Sequence, residues 1–158
     1  ANEITIANGA TIKGGSGADS ITAGYNTQVI TLGAGDDTVI LEGGNANANK
    51  YSTITDFSKG DKIDISQLKA NNAATSISKA EKLASTSTFR EQIRDILKAD
   101  GTETAVAKYF QLEGDTYIIV DTADSATESI TRATDGIIKL AGFTGDLTID
   151  SNSIITVA

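Results

Sequence analysis

Between residues 5 and 40 the apolar positions follow a fixed beat. Written in nines, the segment reads TIANGATIK (5–13), GGSGADSIT (14–22), AGYNTQVIT (23–31) and LGAGDDTVI (32–40). The eighth place holds Ile12, Ile21, Ile30 and Val39, without a slip. Each branched residue has one neighbour on either side, as in Ser20-Ile21-Thr22, which predicts a very short strand with one inward side chain. The residues before each strand are Gly-rich turn. Nine residues are too few for a strand plus a crossover helix. The pattern therefore predicts a parallel solenoid whose coils stack on one another. A flexible glycine-rich linker has no reason to keep a branched aliphatic at a strict period.

Past residue 40 the beat fails. Residues 43–49, GGNANAN, read as a loop. Residues 51–68, YSTITDFSKGDKIDISQL, return to strand, with Lys59-Gly60-Asp61 as a turn and Ile63 and Ile65 alternating with Asp64. Residues 75–100 change character. Ser78 to Glu81 and Thr88 to Glu91 both have capping-box spacing, which predicts a short helix near 78–84 and a longer one near 88–99. In the second, Phe89, Ile93, Ile96 and Leu97 share one face, and Gly101 is a C-terminal stop. Strands then resume. Val106–Leu112 and Thr116–Val120 flank Glu113-Gly114-Asp115 as a hairpin, followed by Ile137–Leu140, Leu147–Ile149 and Ile154–Val157. The expected fold is mainly β: a short parallel β-roll continuing into a β-sandwich-like region with a one- or two-helix insertion. The expected organisation is a roll with closing strands over 1–68, a helical insertion over 69–104 and a strand-rich C-terminal region over 105–158.

Composition narrows the function. The chain has 158 residues, 15 glycines, no proline and 5% aromatics, so its core is built from Ile, Leu, Val and Ala. A net charge of −8 argues against nucleic-acid binding, which needs basic patches, and suits a cation-binding or highly soluble extracellular protein. Without cysteine there is neither a disulfide nor a thiolate metal site, and without histidine neither a His-dependent triad nor the usual catalytic zinc site. No apolar run approaches membrane-spanning length. Catalysis by this chain finds no support in the residues.

The glycine turns carry the candidate chemistry. GGSGADSIT matches every fixed place of GGxGxDxUx, U being a large aliphatic residue, and LGAGDDTVI misses only the first glycine. This is the pattern of a calcium-binding parallel β-helix repeat. If two nonapeptides make one coil, residues eighteen apart stack on the same edge. That brings Asp19 over Asp37 on one edge and Ala10 over Gln28 on the other. Calcium takes six to eight oxygens at about 2.3–2.6 Å from carboxylates and carbonyls, and two stacked carboxylates without a cation would repel. The expectation is one calcium ion between these turns, with Asp19 and Asp37 as ligands. The plainer alternative is that the aspartates only cap turns. A phosphate loop is weaker, since no Lys-Ser/Thr follows the glycines.

GGSGADSIT and LGAGDDTVI resemble the RTX repeats of proteins exported by bacterial type I secretion. STITDFSKGDKIDISQL is similar to the segment that closes the roll in serralysin-type C-terminal domains, through Ile54, Asp56, Phe57, Gly60, Asp61, Lys62, Ile63, Asp64 and Ser66. YFQLEGDTYIIVDTADSATESITRATDGIIKLAGFTGDL is similar to C-terminal segments of type I-exported surface proteins, surface-layer (S-layer) proteins among them. The resemblance implies a secreted protein, extracellular or on the surface of a Gram-negative bacterium, with its export signal around Leu147 to Ala158. It implies Ca²⁺ as the bound ion, the type I secretion machinery as a partner and self-association in a surface lattice. It adds the carbonyls of Gly15, Gly17, Leu32 and Ala34 as ligands. Asp61 and Asp64 stand as candidates for a second site, or as a turn residue and an outward strand residue. Serralysin protease chemistry does not carry over, because the chain has no zinc-binding motif. The competing expectation is the same module on a secreted protease, lipase, epimerase or adhesin. An ice- or glycan-binding solenoid is disfavoured, because Thr11, Thr22, Thr31 and Thr38 do not keep one register.

Overall fold

A computed structural model describes residues 1–6, 9–23, 27–42, 51–68, 74–80, 88–98, 106–121 and 135–158. The nine-residue beat becomes a two-sheet roll. Strands β1 (Glu3–Ile6), β3 (Ser20–Ala23), β5 (Thr38–Leu41) and β7 (Lys62–Asp64) stack in parallel in one sheet. Strands β2 (Thr11–Ser16), β4 (Val29–Ala34) and β6 (Ser52–Ile54) stack in the other. The chain thus alternates between sheets at every turn. Thr11 pairs with Val29 and Ser20 with Thr38, so one full coil takes the expected eighteen residues. The next coil is longer: Thr38 pairs with Lys62. The loop expected at 43–49 lies outside the described residues.

The period-two burial of each strand follows from having one wet face. In β3 and β5, Ile21 and Val39 point inward, as do Ile12 and Ile30 in β2 and β4, all at 2% exposure or less. These side chains form two ladders that meet between the sheets, extended by Ile54, Ile63, Leu140 and Ile155. A fully buried Ile is worth roughly 1.5–3 kcal/mol over an exposed one, so the aliphatic ladders carry much of the packing that holds the roll shut. The threonines divide as their spacing implies: Thr11 and Thr31 lie on one sheet, Thr22 and Thr38 on the other.

Both sheets run on into the second half of the chain. Strand β11 (Gly136–Leu140) adds parallel to β6 and is followed outward by β10 (Asp115–Asp121), β9 (Val106–Leu112) and β8 (Ile77–Lys79). In the other sheet β13 (Ile154–Val157) pairs antiparallel with β7, and β12 (Leu147–Ile149) closes the edge. The parallel roll therefore becomes a mixed two-sheet sandwich without a break in its core.

Helix α1 (Phe89–Lys98) starts where expected. Thr88 N donates to Glu91 Oε2 at 2.8 Å and Glu91 N donates to Thr88 Oγ1 at 3.3 Å, a complete capping box. Its apolar face, with Phe89, Ile93 and Ile96, covers Phe110, Tyr117, Ile119 and Ile137 on the outer side of the sandwich. The expected first helix is corrected: Ile77–Lys79 is strand, parallel to β9, and Ala80 N bonds to Tyr109 O at 2.7 Å. The open edge of β9 offers a row of backbone partners, which outweighs a capping signal that has no long apolar face behind it. Residues 81–84 and Gly101 lie outside the described residues.

Candidate functional site: a column of carboxylates along one edge of the roll

The turn that leads into each strand of the β1–β3–β5–β7 sheet places an acidic or amide residue one position before it. Asn2, Asp19, Asp37 and Asp61 thereby form a column, one per coil. Ser20 N bonds to Asn2 O, Thr38 N to Asp19 O and Lys62 N to Asp37 O, each at 2.8 Å. Side chains link the same rungs. Asn2 N donates to Asp19 Oδ1 at 2.6 Å, Asp19 N to Asp37 Oδ1 at 2.7 Å and Asp37 N to Asp61 Oδ1 at 3.1 Å. Each aspartate therefore caps the backbone of the coil before it.

Capping uses only half of each carboxylate. Asp19 and Asp37 are 3% and 0% exposed, and the Oδ2 of each is buried with no hydrogen-bond partner. A buried acceptor left unmatched costs about 1–3 kcal/mol, more if charged. Asp61 differs, because its Oδ2 accepts from Ser58 N at 2.8 Å and from Ser58 Oγ at 3.1 Å. It completes the column as a satisfied cap.

The glycine loops bring carbonyl oxygens to the same edge. A Cβ on Gly14 would collide with Leu32 O and lie 2.9 Å from Asp19 Oδ2. The absent side chain leaves a cradle lined by two oxygens, one of them an orphan. Both oxygens are acceptors, so a cation lodged between them would satisfy both. Gly15 O packs against Gly33 and Gly17 O against Gly35 in the next loop, and Ala34 O accepts from Gly17 N at 2.6 Å. Among the described residues no three acidic side chains gather closely enough to hold a metal by themselves. Carbonyls would have to complete any coordination shell.

Two acidic residues have other work. Asp64 lies on β7, where its Oδ1 accepts from Ser66 N at 2.9 Å, away from the column. Asp56 reaches across the coil instead: its Oδ1 accepts from Leu32 N at 2.8 Å and its Oδ2 from Gly33 N at 2.9 Å. It thereby fixes the backbone of the second glycine loop. Sequence reasoning missed this role and missed Asn2. The signal for Asn2 was present, since Asn2-Glu3-Ile4 repeats the spacing of Asp19-Ser20-Ile21 and Asp61-Lys62-Ile63.

Burial holds the Asp37 carboxyl above the ordinary carboxylate range, with Asp61, Asp19 and Asp56 adding repulsion and the Asp19 N–H opposing them. The sign of the consequence follows by linkage. Above about 3.8 the unfolded Asp37 has lost its proton while the folded one keeps it. The folded state then binds more protons, so stability falls as pH rises through the folded pKa. Other carboxylates, Asp115 and Asp146 among them, are held low by lysine partners and slope the opposite way. The test is therefore a difference. In chelator, the stability advantage of Asp37→Asn over the parent is expected to grow between pH 4 and 7, measured by denaturant unfolding. An advantage that shrinks over that range would contradict the assignment.

A search of the curated proteins finds no match to this chain. The family model described as Peptidase M10 serralysin C terminal matches residues 1–134, which include the whole column, both glycine loops and strands β1 to β10. The chain belongs to the serralysin C-terminal family and is an RTX-type C-terminal module of the kind carried by type I-secreted proteins.

Proposed function

We propose that this chain is a non-catalytic calcium-binding module, the C-terminal domain of a type I-secreted S-layer protein, acting in export and in calcium-dependent assembly at the cell surface. The observation that carries the calcium reading is the pair of orphan oxygens, Asp19 Oδ2 and Asp37 Oδ2, on an edge where Leu32 O shares the cradle left by Gly14. Asp19 and Asp37 would supply side-chain oxygens, and the loop carbonyls of Gly15, Gly17, Leu32 and Ala34 would supply the rest. Bound calcium would neutralise the column and satisfy its orphan oxygens.

The physics suits export. Extracellular calcium modules bind at about 10⁻⁴–10⁻³ M. Such a site stays empty in the cytosol, where the unmatched carboxylates weaken the roll. It fills outside the cell, where binding to the folded state alone stabilises it by mass action. The net charge of −8 keeps the unfolded chain soluble. The proposed signal, Leu147 to Ala158, forms the β12–β13 pair that closes one sheet against β7. It would be free for the secretion machinery before folding and be taken into the sheet afterwards.

The surface-layer reading is supported by the likeness of residues 109–147 to S-layer tails. The family match favours a second parent, a secreted enzyme, because the family is named for a peptidase. Light scattering with and without calcium, followed by microscopy, separates the two. Calcium-triggered two-dimensional sheets are expected for the surface-layer module. A monomer in both conditions would overturn assembly by this chain and leave the secretion module.

A further inference from the structure

The rung before Asp19 carries an amide, Asn2, in place of a carboxylate. Glu3 pairs with Ser20 as Ser20 pairs with Thr38, so Asn2 stands to Asp19 as Asp19 stands to Asp37. On the facing strands Lys13 pairs with Thr31 and Gly15 with Gly33, so Gly14 stands to Leu32 in the same way. One side chain–carbonyl relation therefore occurs twice, as Asn2 with Gly14 O and as Asp19 with Leu32 O. The chemistry of the two rungs differs. Asn2 Nδ2 donates to Gly14 O at 3.2 Å, a bond spanning twelve residues of sequence. At the next rung Asp19 Oδ2 and Leu32 O face one cradle, and both are acceptors. A hydrogen bond closes the Asn2 rung, whereas the Asp19 rung sets two acceptors together with no donor between them.

We propose that the Asn2 side chain is a built-in substitute for the cation. Its N–H ties its own coil to the glycine loop of the next without charge, so this rung is closed whether or not calcium is present. Metal dependence belongs to the next rung, at Asp19. A local Asx turn does not account for Asn2, because its side chain would bond the backbone of its own turn two or so residues away. The substitute role rests on the calcium reading of the Asp19 rung; the Asn2–Gly14 bond does not.

The proposal makes a gain-of-function prediction. Asn2→Asp recreates at its own rung the carboxylate–carbonyl pair of the Asp19 rung. The whole chain, as parent, Asn2→Asp and Asn2→Ala, is titrated with calcium chloride by calorimetry and melted in chelator and in calcium. Asn2→Asp is expected to bind one more calcium ion per chain than the parent. In chelator both variants are expected to melt about 3 °C lower, the loss of roughly one hydrogen bond in a domain of this size. Calcium should restore Asn2→Asp to the parent's melting temperature and leave Asn2→Ala below it. Parental stoichiometry in Asn2→Asp, with no greater rescue by calcium than Asn2→Ala, would overturn the substitute role while the parent's own binding still stands. A parent that binds no calcium would overturn the calcium reading and the substitute role with it. Asn2→Ala melting like the parent in chelator would overturn the tie itself.

Discussion

Gly33→Ala is expected to cost about 3 kcal/mol or more, whereas Gly15→Ala should cost about 1–2 kcal/mol. Both glycines sit at a positive φ, +101° and +108°, where an alanine is strained. Their surroundings differ. A Cβ on Gly15 meets nothing within 4 Å. A Cβ on Gly33 would strike Gly15 O and stand 2.9 Å from Gly15 C and 3.1 Å from Gly15 N. These are backbone atoms held by the parallel pairing of β2 and β4, so they cannot swing aside as a side chain would. Urea unfolding of the two variants separates strain from stacking. The excess cost at Gly33 measures how tightly one glycine loop lies on the next. Equal costs would mean that the loops separate freely and cannot present fixed carbonyls to an ion.

Removing calcium is expected to produce the second large effect, and to produce it only while the column is intact. At free calcium roughly 100-fold above Kd, a single site stabilises the folded state by about 2.7 kcal/mol. For a domain of this size that raises Tm by about 8 °C. Asp37→Ala should lose this shift, because Asp37 is fully buried and holds the Asp19 N–H as well as an orphan oxygen. Asp37→Asn is the informative partner. Its amide can keep a hydrogen bond to the Asp19 N–H and offers N–H groups where the carboxylate offered only acceptors. It should melt higher than the parent in chelator and gain little from calcium. A parent-sized calcium shift in Asp37→Asn would show that the ion lies elsewhere.

How much of this was legible in the sequence depended on whether a residue's partner lay within the repeat. Ile12, Ile21, Ile30 and Val39 kept a strict interval because each fills the same place in successive coils, and a slip would turn the side chain out to water. The stacking of Asp19 on Asp37 followed from the same count and appears as a 2.7 Å bond. Asp61 was harder to place. It lies twenty-four residues after Asp37, so its rung is hidden by a longer coil, and only the structure sets it third in the carboxylate column. Asp56 was opaque for another reason. Its partners, Leu32 N and Gly33 N, are set by how two coils stack, which no local pattern records. The helix start expected at Ser78 gave way to strand where local capping chemistry competed with the pairing edge of β9. The capping box at Thr88 held because Phe89, Ile93 and Ile96 had an apolar sheet face to cover.

Calcium is proposed to bind at the edge where Asp19 and Asp37 stack. Calorimetric titration of calcium into the parent, Asp19→Ala and Asp37→Ala tests it most directly. Binding by the parent is expected near the affinity of extracellular calcium modules, about 10⁻⁴–10⁻³ M, and its loss is expected in both variants. Binding of unchanged affinity and stoichiometry in both variants would contradict it.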